Sequence, residues 1–182
     1  MKKVPTELND CFVLDPVIHG DERGFFIESW NEKTFSSIGL DVSFVQDNHS
    51  RSTRNVLRGL HYQINRPQGK LVRVTRGVVF DAVVDMRRGS STFGKWFGTE
   101  LSEENKRMLW VPPGFAHGFL VLSDSADFQY KCTEYYSPQD DRSLRWDDPT
   151  VGIDWPLSQD VIPGLSEKDA AAASFDVAET FE

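Results

Sequence analysis

Asn55-Val56-Leu57-Arg58-Gly59-Leu60-His61-Tyr62-Gln63 alternates in the manner of a β-strand, yet the row Leu57, Gly59, His61 and Gln63 mixes apolar and polar groups. A strand with one covered face ordinarily keeps that face apolar, because side chains two residues apart share it. An imidazole and an amide in such a row imply a strand lining a cavity with chemistry to perform. Gly59, lacking a side chain, leaves room for a ligand or for another stretch of backbone to come close.

On either side the chain reads as short strands separated by turn signals. Leu71 to Arg76 alternates and turns at Arg76-Gly77 into Val78 to Met86; Arg88-Gly89-Ser90 ends that run, and Trp96 to Leu101 resumes it. Met108 to Val111 leads into Pro112-Pro113-Gly114, Gly118 to Leu122 leads into a turn at 123–125, and Phe128 to Tyr135 is the last long candidate. This spacing predicts an all-β sandwich or barrel of antiparallel strands. Helix signals are few. Glu32 to Ile38 has room for one or two turns, and Ser166-Glu167-Lys168-Asp169 before Ala170 to Ala173 has the form of an N-cap with an acidic third helical residue. With no repeat and no low-complexity linker in 182 residues, one domain spanning 1–182 is expected, its segment from about 160 packed on the barrel.

Lys and Arg number 20 against 28 Asp and Glu, a net charge of −8 that argues against nucleic acid as a partner while leaving room for a local phosphate site. Cys11 and Cys132 have neither metal-ligand nor redox spacing. Met1-Lys2-Lys3 is followed by Val4-Pro5-Thr6-Glu7 rather than an apolar segment, and no apolar run approaches membrane-spanning length. A soluble, cytoplasmic protein without a membrane partner is expected.

Three segments place polar residues inside strand patterns: Arg58 to Lys70, Pro112 to His117, and Tyr130-Lys131. The order Pro-x-Gly-x-x-His, here Pro112-Pro113-Gly114-Phe115-Ala116-His117, resembles the second half-motif of the cupins, jelly-roll β-barrels. Their first half-motif would fall on Gly59 to Gly77, with His61-Tyr62-Gln63 where a metal-binding cupin has His-x-His. Here one histidine has become Gln63, no carboxylate follows in Ile64 to Lys70, and Lys70 would repel a divalent cation, so no metal is expected. The resemblance then narrows. Arg23 to Glu28, Gln46 to Ser50, Leu57 to Gln63, Lys70 to Val74, Trp110 to Gly118, Tyr130 to Thr133, Trp146 to Pro149 and Leu165 to Asp169 occur in the order seen in the dTDP-4-dehydrorhamnose 3,5-epimerases. The likeness runs from about Arg23 to Asp169, and its weight lies in the ordered set.

That resemblance implies a cupin-type jelly-roll β-barrel with a few short peripheral helices, acting as a cofactor-independent epimerase on a dTDP-linked 4-keto-6-deoxyhexose. The hydrogens at C3 and C5 are both alpha to the C4 ketone, so removing either gives an enolate. The reaction needs a base, an oxyanion stabiliser and an acid on the other face. His61 is the candidate base, since imidazole titrates near neutrality. Asp169 would hold its tautomer, although the same carboxylate is also a helix-start signal. Lys70 would counter the charge developing at the C4 oxygen, and Tyr130 would be the acid. Arg23, Arg58, Lys168 and His117 match positions that contact substrate, the cations suiting a pyrophosphate. Glu28, Gln46 and Asn48 match positions that hold the nucleoside. Asp141 stands where the family has Glu, which leaves its contact in question. Tyr62, Tyr135, Tyr136, Asp81 and Asp85 receive no role.

The family implies a homodimer. On its alternation Arg58 points away from His61, so a nucleotide contact from it requires a twist, a bulge or a subunit boundary. The rival readings are a single-centre epimerase or 3,4-ketoisomerase on the same scaffold, a metal-dependent cupin such as a dioxygenase, and a non-catalytic sugar-binding module.

Overall fold

The computed structural model describes residues 1–182. In chain order its first half contains β1 (Lys2–Pro5), β2 (Phe12–Asp15), β3 (Ile18–Asp21), β4 (Gly24–Ile27), α1 (Glu32–Ser37), β5 (Gln46–Thr53), β6 (Leu57–Gln63) and β7 (Lys70–Arg76). There follow β8 (Val78–Asp85), β9 (Trp96–Ser102), β10 (Met108–Val111), β11 (Phe115–Val121), β12 (Ser125–Cys132), β13 (Asp141–Ser143) and α2 (Glu167–Ala170). All strand pairs are antiparallel. A six-stranded sheet runs β1-β2-β10-β7-β12-β5, a five-stranded sheet runs β13-β6-β11-β8-β9, and β3 and β4 form a separate hairpin. This is the cupin-type jelly roll expected from the sequence.

Alternation explains the layers. Val72, Val74, Leu109, Val111 and Phe128 of the larger sheet meet Val79, Val83, Leu101, Phe115 and Phe119 of the smaller one in a cluster between the sheets. The opposite row of the smaller sheet, including Leu60, Tyr62, Val84 and Leu120, is covered by Val151, Trp155 and Ala178 of the C-terminal region. The opposite row of the larger sheet, with Leu14, Leu71 and Trp110, is covered by Phe35 of α1 and by Leu40. Asn31 caps α1, its side-chain oxygen accepting from the amides of Lys33 and Thr34. Both sheet faces are thus buried, in accord with the 0 % exposure of Leu14, Leu60, Val72 and Leu120.

Some sequence expectations shift. The last long strand occupies Ser125–Cys132 rather than Phe128 to Tyr135, because Cys132 is already opposite Gln46 and Lys70, the ends of its two neighbours. Beyond it no strand is left to pair with, and Tyr135 and Tyr136 are exposed. The β11 strand starts at Phe115, directly after the proline turn, and α2 ends at Ala170 rather than running through the alanines. The quoted stretch enters the sheet only at Leu57; Asn55 has φ 63°, the left-handed conformation of a turn. Strand β5 was not anticipated because both of its rows are polar, one lining the cavity side and the other facing outward. No helix is long and apolar enough to cross a membrane.

Candidate active site

The row Leu57, Gly59, His61, Gln63 does not exist as a row. Pairing of β11 with β6 runs from His117 opposite His61 to Phe119 opposite Arg58, with one residue between them on β11, Gly118, against two on β6, Gly59 and Leu60. The extra residue makes a bulge, and the side-chain alternation changes phase across it. Leu57 therefore joins Leu60 and Tyr62 in the outer cluster, while Arg58 and His61 both line a cavity of about 640 Å³. Gly59 permits this. Its φ is 125°, and a Cβ there would fall 2.5 Å from Cα of Gly118 on β11. The room left by Gly59 is taken by backbone, not by a ligand.

Across the cavity floor, Nε2 of His61 lies 2.5 Å from Oδ1 of Asp169. The two uses of Asp169 do not compete. Its backbone amide donates to Oγ of Ser166, closing the N-cap of α2, and its carboxylate remains free for the imidazole. Burial raises the Asp169 pKa, but the His61 hydrogen bond and charge, with smaller help from Ser166 and the Gly59 amide, hold it below the ordinary carboxylate value. The His61 side chain is 33 % exposed against 3 % for Asp169, so the ring faces the cavity and its orienting group lies behind it. A carboxylate so placed fixes the tautomer and stabilises the ring when it takes up a proton.

Lys70 and Tyr130 line the same cavity. Lys70 begins β7 and is 8 % exposed, and its Nζ reaches only the carbonyl of His61, at 3.4 Å. Desolvation pulls its pKa down, opposed by Cys132, Asp141 and Asp81. Tyr130, in the inward row of β12, is pushed up to about 12, first by burial, so its phenol stays loaded with a proton at neutral pH. An imidazole backed by a carboxylate, a buried lysine and a protonated phenol around one volume can take a proton from carbon, hold the resulting oxyanion and return a proton elsewhere.

The other wall carries His117, whose Nε2 lies 3.0 Å from both carboxylate oxygens of Asp81. Arg58 donates from Nε to Oγ of Ser52 at 2.9 Å, which leaves its outer nitrogens for a ligand. Lys168 pairs with Asp141, and Tyr136 donates to the same carboxylate at 2.9 Å. The Asp that replaces Glu is thus engaged inside the chain, and Lys168 is not a free cation. Tyr136 and Asp81 are the residues that sequence reasoning passed over. Asp81 did carry a signal, being with Asp85 a charged residue in a row otherwise held by Val79 and Val83, the kind of signal that singled out His61.

Four of the expected substrate contacts, Arg23, Glu28, Gln46 and Asn48, are outside this cavity. Asn48 lines an adjoining recess of about 330 Å³ that also reaches Tyr130. Gln46 donates to the Asn48 side chain and accepts from the Tyr136 amide. Arg23 is paired with Asp21 on the β3–β4 hairpin, and Glu28 accepts from Asn31 and Thr34 at the start of α1. Gln63, where a metal cupin has its second histidine, is a structural cross-link: it donates to the carbonyls of Arg66 and Tyr135 and accepts from the Ser137 amide. No three side chains of His, Cys, Asp or Glu come together in a way that could hold a metal ion.

Known proteins resemble this chain over nearly its whole length. The family model described as dTDP-4-dehydrorhamnose 3,5-epimerase matches residues 5–176. A protein of that description from Pseudomonas aeruginosa is 56 % identical over 182 residues, covering 100 % of this chain and 99 % of its own. The crystal structure of dTDP-6-deoxy-D-glucose-3,5-epimerase from Legionella pneumophila, in complex with dTDP-4-keto-L-rhamnose, has a TM-score of 0.93 at 52 % identity, covering 98 % of this chain and 94 % of that one. A 3'-monoepimerase from Streptomyces bikiniensis in complex with dTDP-quinovose has a TM-score of 0.88 at 35 % identity, covering 95 % and 87 %.

Proposed function

The chain belongs to the dTDP-4-dehydrorhamnose 3,5-epimerase family, and from that membership and its cavity we infer how it inverts C3 and C5 of dTDP-4-dehydro-6-deoxy-D-glucose to give dTDP-4-dehydro-L-rhamnose. It is an isomerase of dTDP-rhamnose synthesis. His61 removes the proton alpha to the C4 ketone, and Asp169 steadies the imidazolium. Lys70 holds the oxyanion of the enolate, and Tyr130 delivers a proton to the opposite face. The observation that carries this assignment is the His61–Asp169 pair at 2.5 Å on the same cavity as Lys70 and Tyr130.

The protons balance through solvent. After one inversion His61 holds the carbon's proton and Tyr130 has lost its own; exchange with water resets both for the second centre. Neither inversion requires a redox cofactor or a metal. Arg58 and His117 would meet the nucleotide from the cavity wall. Lys168 and Asp141 would do so at its edge, their mutual pair opening as the pyrophosphate offers the lysine a stronger anion.

Arg23 and Glu28 reach a nucleotide most simply across a subunit boundary, and we assign the protein as a homodimer. The β3–β4 hairpin supports this: Phe25 is 60 % exposed and Phe26 68 %, large apolar groups on a hairpin joined to neither sheet. A second copy covering them would carry Arg23 and Glu28 to its partner's cavity, with Gln46 and Asn48 in the recess beside it. We take residues 1–182 as one catalytic unit, because the C-terminal region supplies Asp169 and bonds β6 directly, Leu57 donating to the carbonyl of Gly164. Two buried free thiols, Cys11 and Cys132, suit a reducing compartment, and we place the enzyme in the cytoplasm.

The test is incubation with dTDP-4-keto-6-deoxyglucose in deuterated water. Deuterium is expected at both C3 and C5 of the product. Label at one carbon only would make this a monoepimerase, and none at either would reduce the protein to a binding module.

A further inference from the structure

Asp81 sits in the inward row of β8 between Val79 and Val83, both members of the apolar cluster between the sheets, and is 0 % exposed. A buried carboxylate is costly unless it is paired. Asp85 and Asp127, the other buried acids within the strands, are each tied to an arginine. Asp81 is not. Both of its oxygens lie 3.0 Å from Nε2 of His117, and Phe128 stacks on the imidazole at 28°. With Nε2 turned to Asp81, Nδ1 is the ring nitrogen left for the cavity that His117 lines.

We propose that Asp81 is a positioning residue for epimerisation: it fixes His117 with Nε2–H toward itself and Nδ1 toward the bound sugar nucleotide. The proposal rests on the cavity being the epimerase centre. His61 and His117 lie directly opposite each other on β6 and β11, so the cavity presents two imidazoles, each backed by its own carboxylate. Asp169 holds the base, and Asp81 holds the histidine on the facing strand.

Asp81→Asn keeps the shape and removes the charge. The expected result is a fall of kcat of about 10- to 100-fold, the size found for partners that orient a functional histidine, with KM within about 3-fold. An unchanged kcat would overturn the proposal, as would a rise in KM alone. Nitrogen NMR of histidine-labelled wild-type protein decides the matter even if the variant does not fold. A proton on His117 Nε2 is expected, and a bare Nε2 with the proton on Nδ1 overturns the assignment. The two levels fail separately: no deuterium exchange by the wild type sinks the epimerase centre, whereas normal exchange by both proteins sinks only the role of Asp81.

Discussion

Replacing Lys70 with methionine should trade activity for stability. The ammonium offers three donors and meets one carbonyl at 3.4 Å, in a residue only 8 % exposed. Burial lowers its pKa from 10.5, so the folded state is penalised for carrying the charge. Methionine fills a similar volume without that cost, and relief of one poorly paired buried cation is worth about 1–3 kcal/mol. Loss of an attractive charge for Asp81 puts the net gain toward the lower end. In a chain of this size each kcal/mol raises Tm by about 2–4 °C. The pH dependence has a definite sign. Below the folded pKa of Lys70 both states are protonated and the variant's advantage is complete; it shrinks as pH rises above that value and is gone by about 10.5, where the unfolded chain also loses the proton. Turnover should fall by about 10²- to 10³-fold, as for removal of one oxyanion donor. Calorimetry from pH 7 to 10 and a coupled turnover assay read both effects. A variant that melts lower and still turns over would show Lys70 to be structural, and the oxyanion assignment would fail.

Other substitutions test the remaining parts. Asp169→Asn should lower kcat by about 10²- to 10⁴-fold through the wrong imidazole tautomer. Because the folded pKa of Asp169 lies below 3.8, its stabilising contribution is present above that pH and is lost as pH falls through the folded value. The acid-unfolding curves of wild type and variant should therefore converge below pH 3.8. Gly59→Ala places a methyl 2.5 Å from backbone at a φ of 125° and should destabilise by about 2 kcal/mol or more, measured by urea unfolding. Phe25→Ser should shift the protein from dimer to monomer in light scattering and weaken dTDP binding, since Arg23 and Glu28 would no longer reach a neighbouring cavity; an unchanged dimer would place the interface elsewhere.

The parts that the chain discloses are those written in local pattern. Alternation located the strands around Leu71, Val78 and Met108, and the Ser166–Asp169 spacing located a helix start, because both depend on neighbours within a few residues. The family motifs gathered His61, Lys70, Tyr130 and Asp169 before any geometry was known. What was hidden depends on contacts across strands. One extra residue at Gly59, set against Gly118, puts Arg58 on the same side as His61, and nothing in the stretch itself reveals the register of β11. The pairing of Lys168 with Asp141 spans 27 residues, and that of Asp81 with His117 spans 36. The hairpin that bears Arg23 has no neighbour within its own chain's sheets, so its purpose is legible only from the apolar surface it leaves open.

The central claim is that His61 is the base, and His61→Ala tests it most directly in deuterated water. The variant should bind dTDP with nearly wild-type affinity, since Arg58, His117 and Lys168 are untouched, while deuterium enters neither C3 nor C5 of the substrate. Exchange at either carbon at the wild-type rate would remove His61 from the role of base and with it the mechanism built on this cavity.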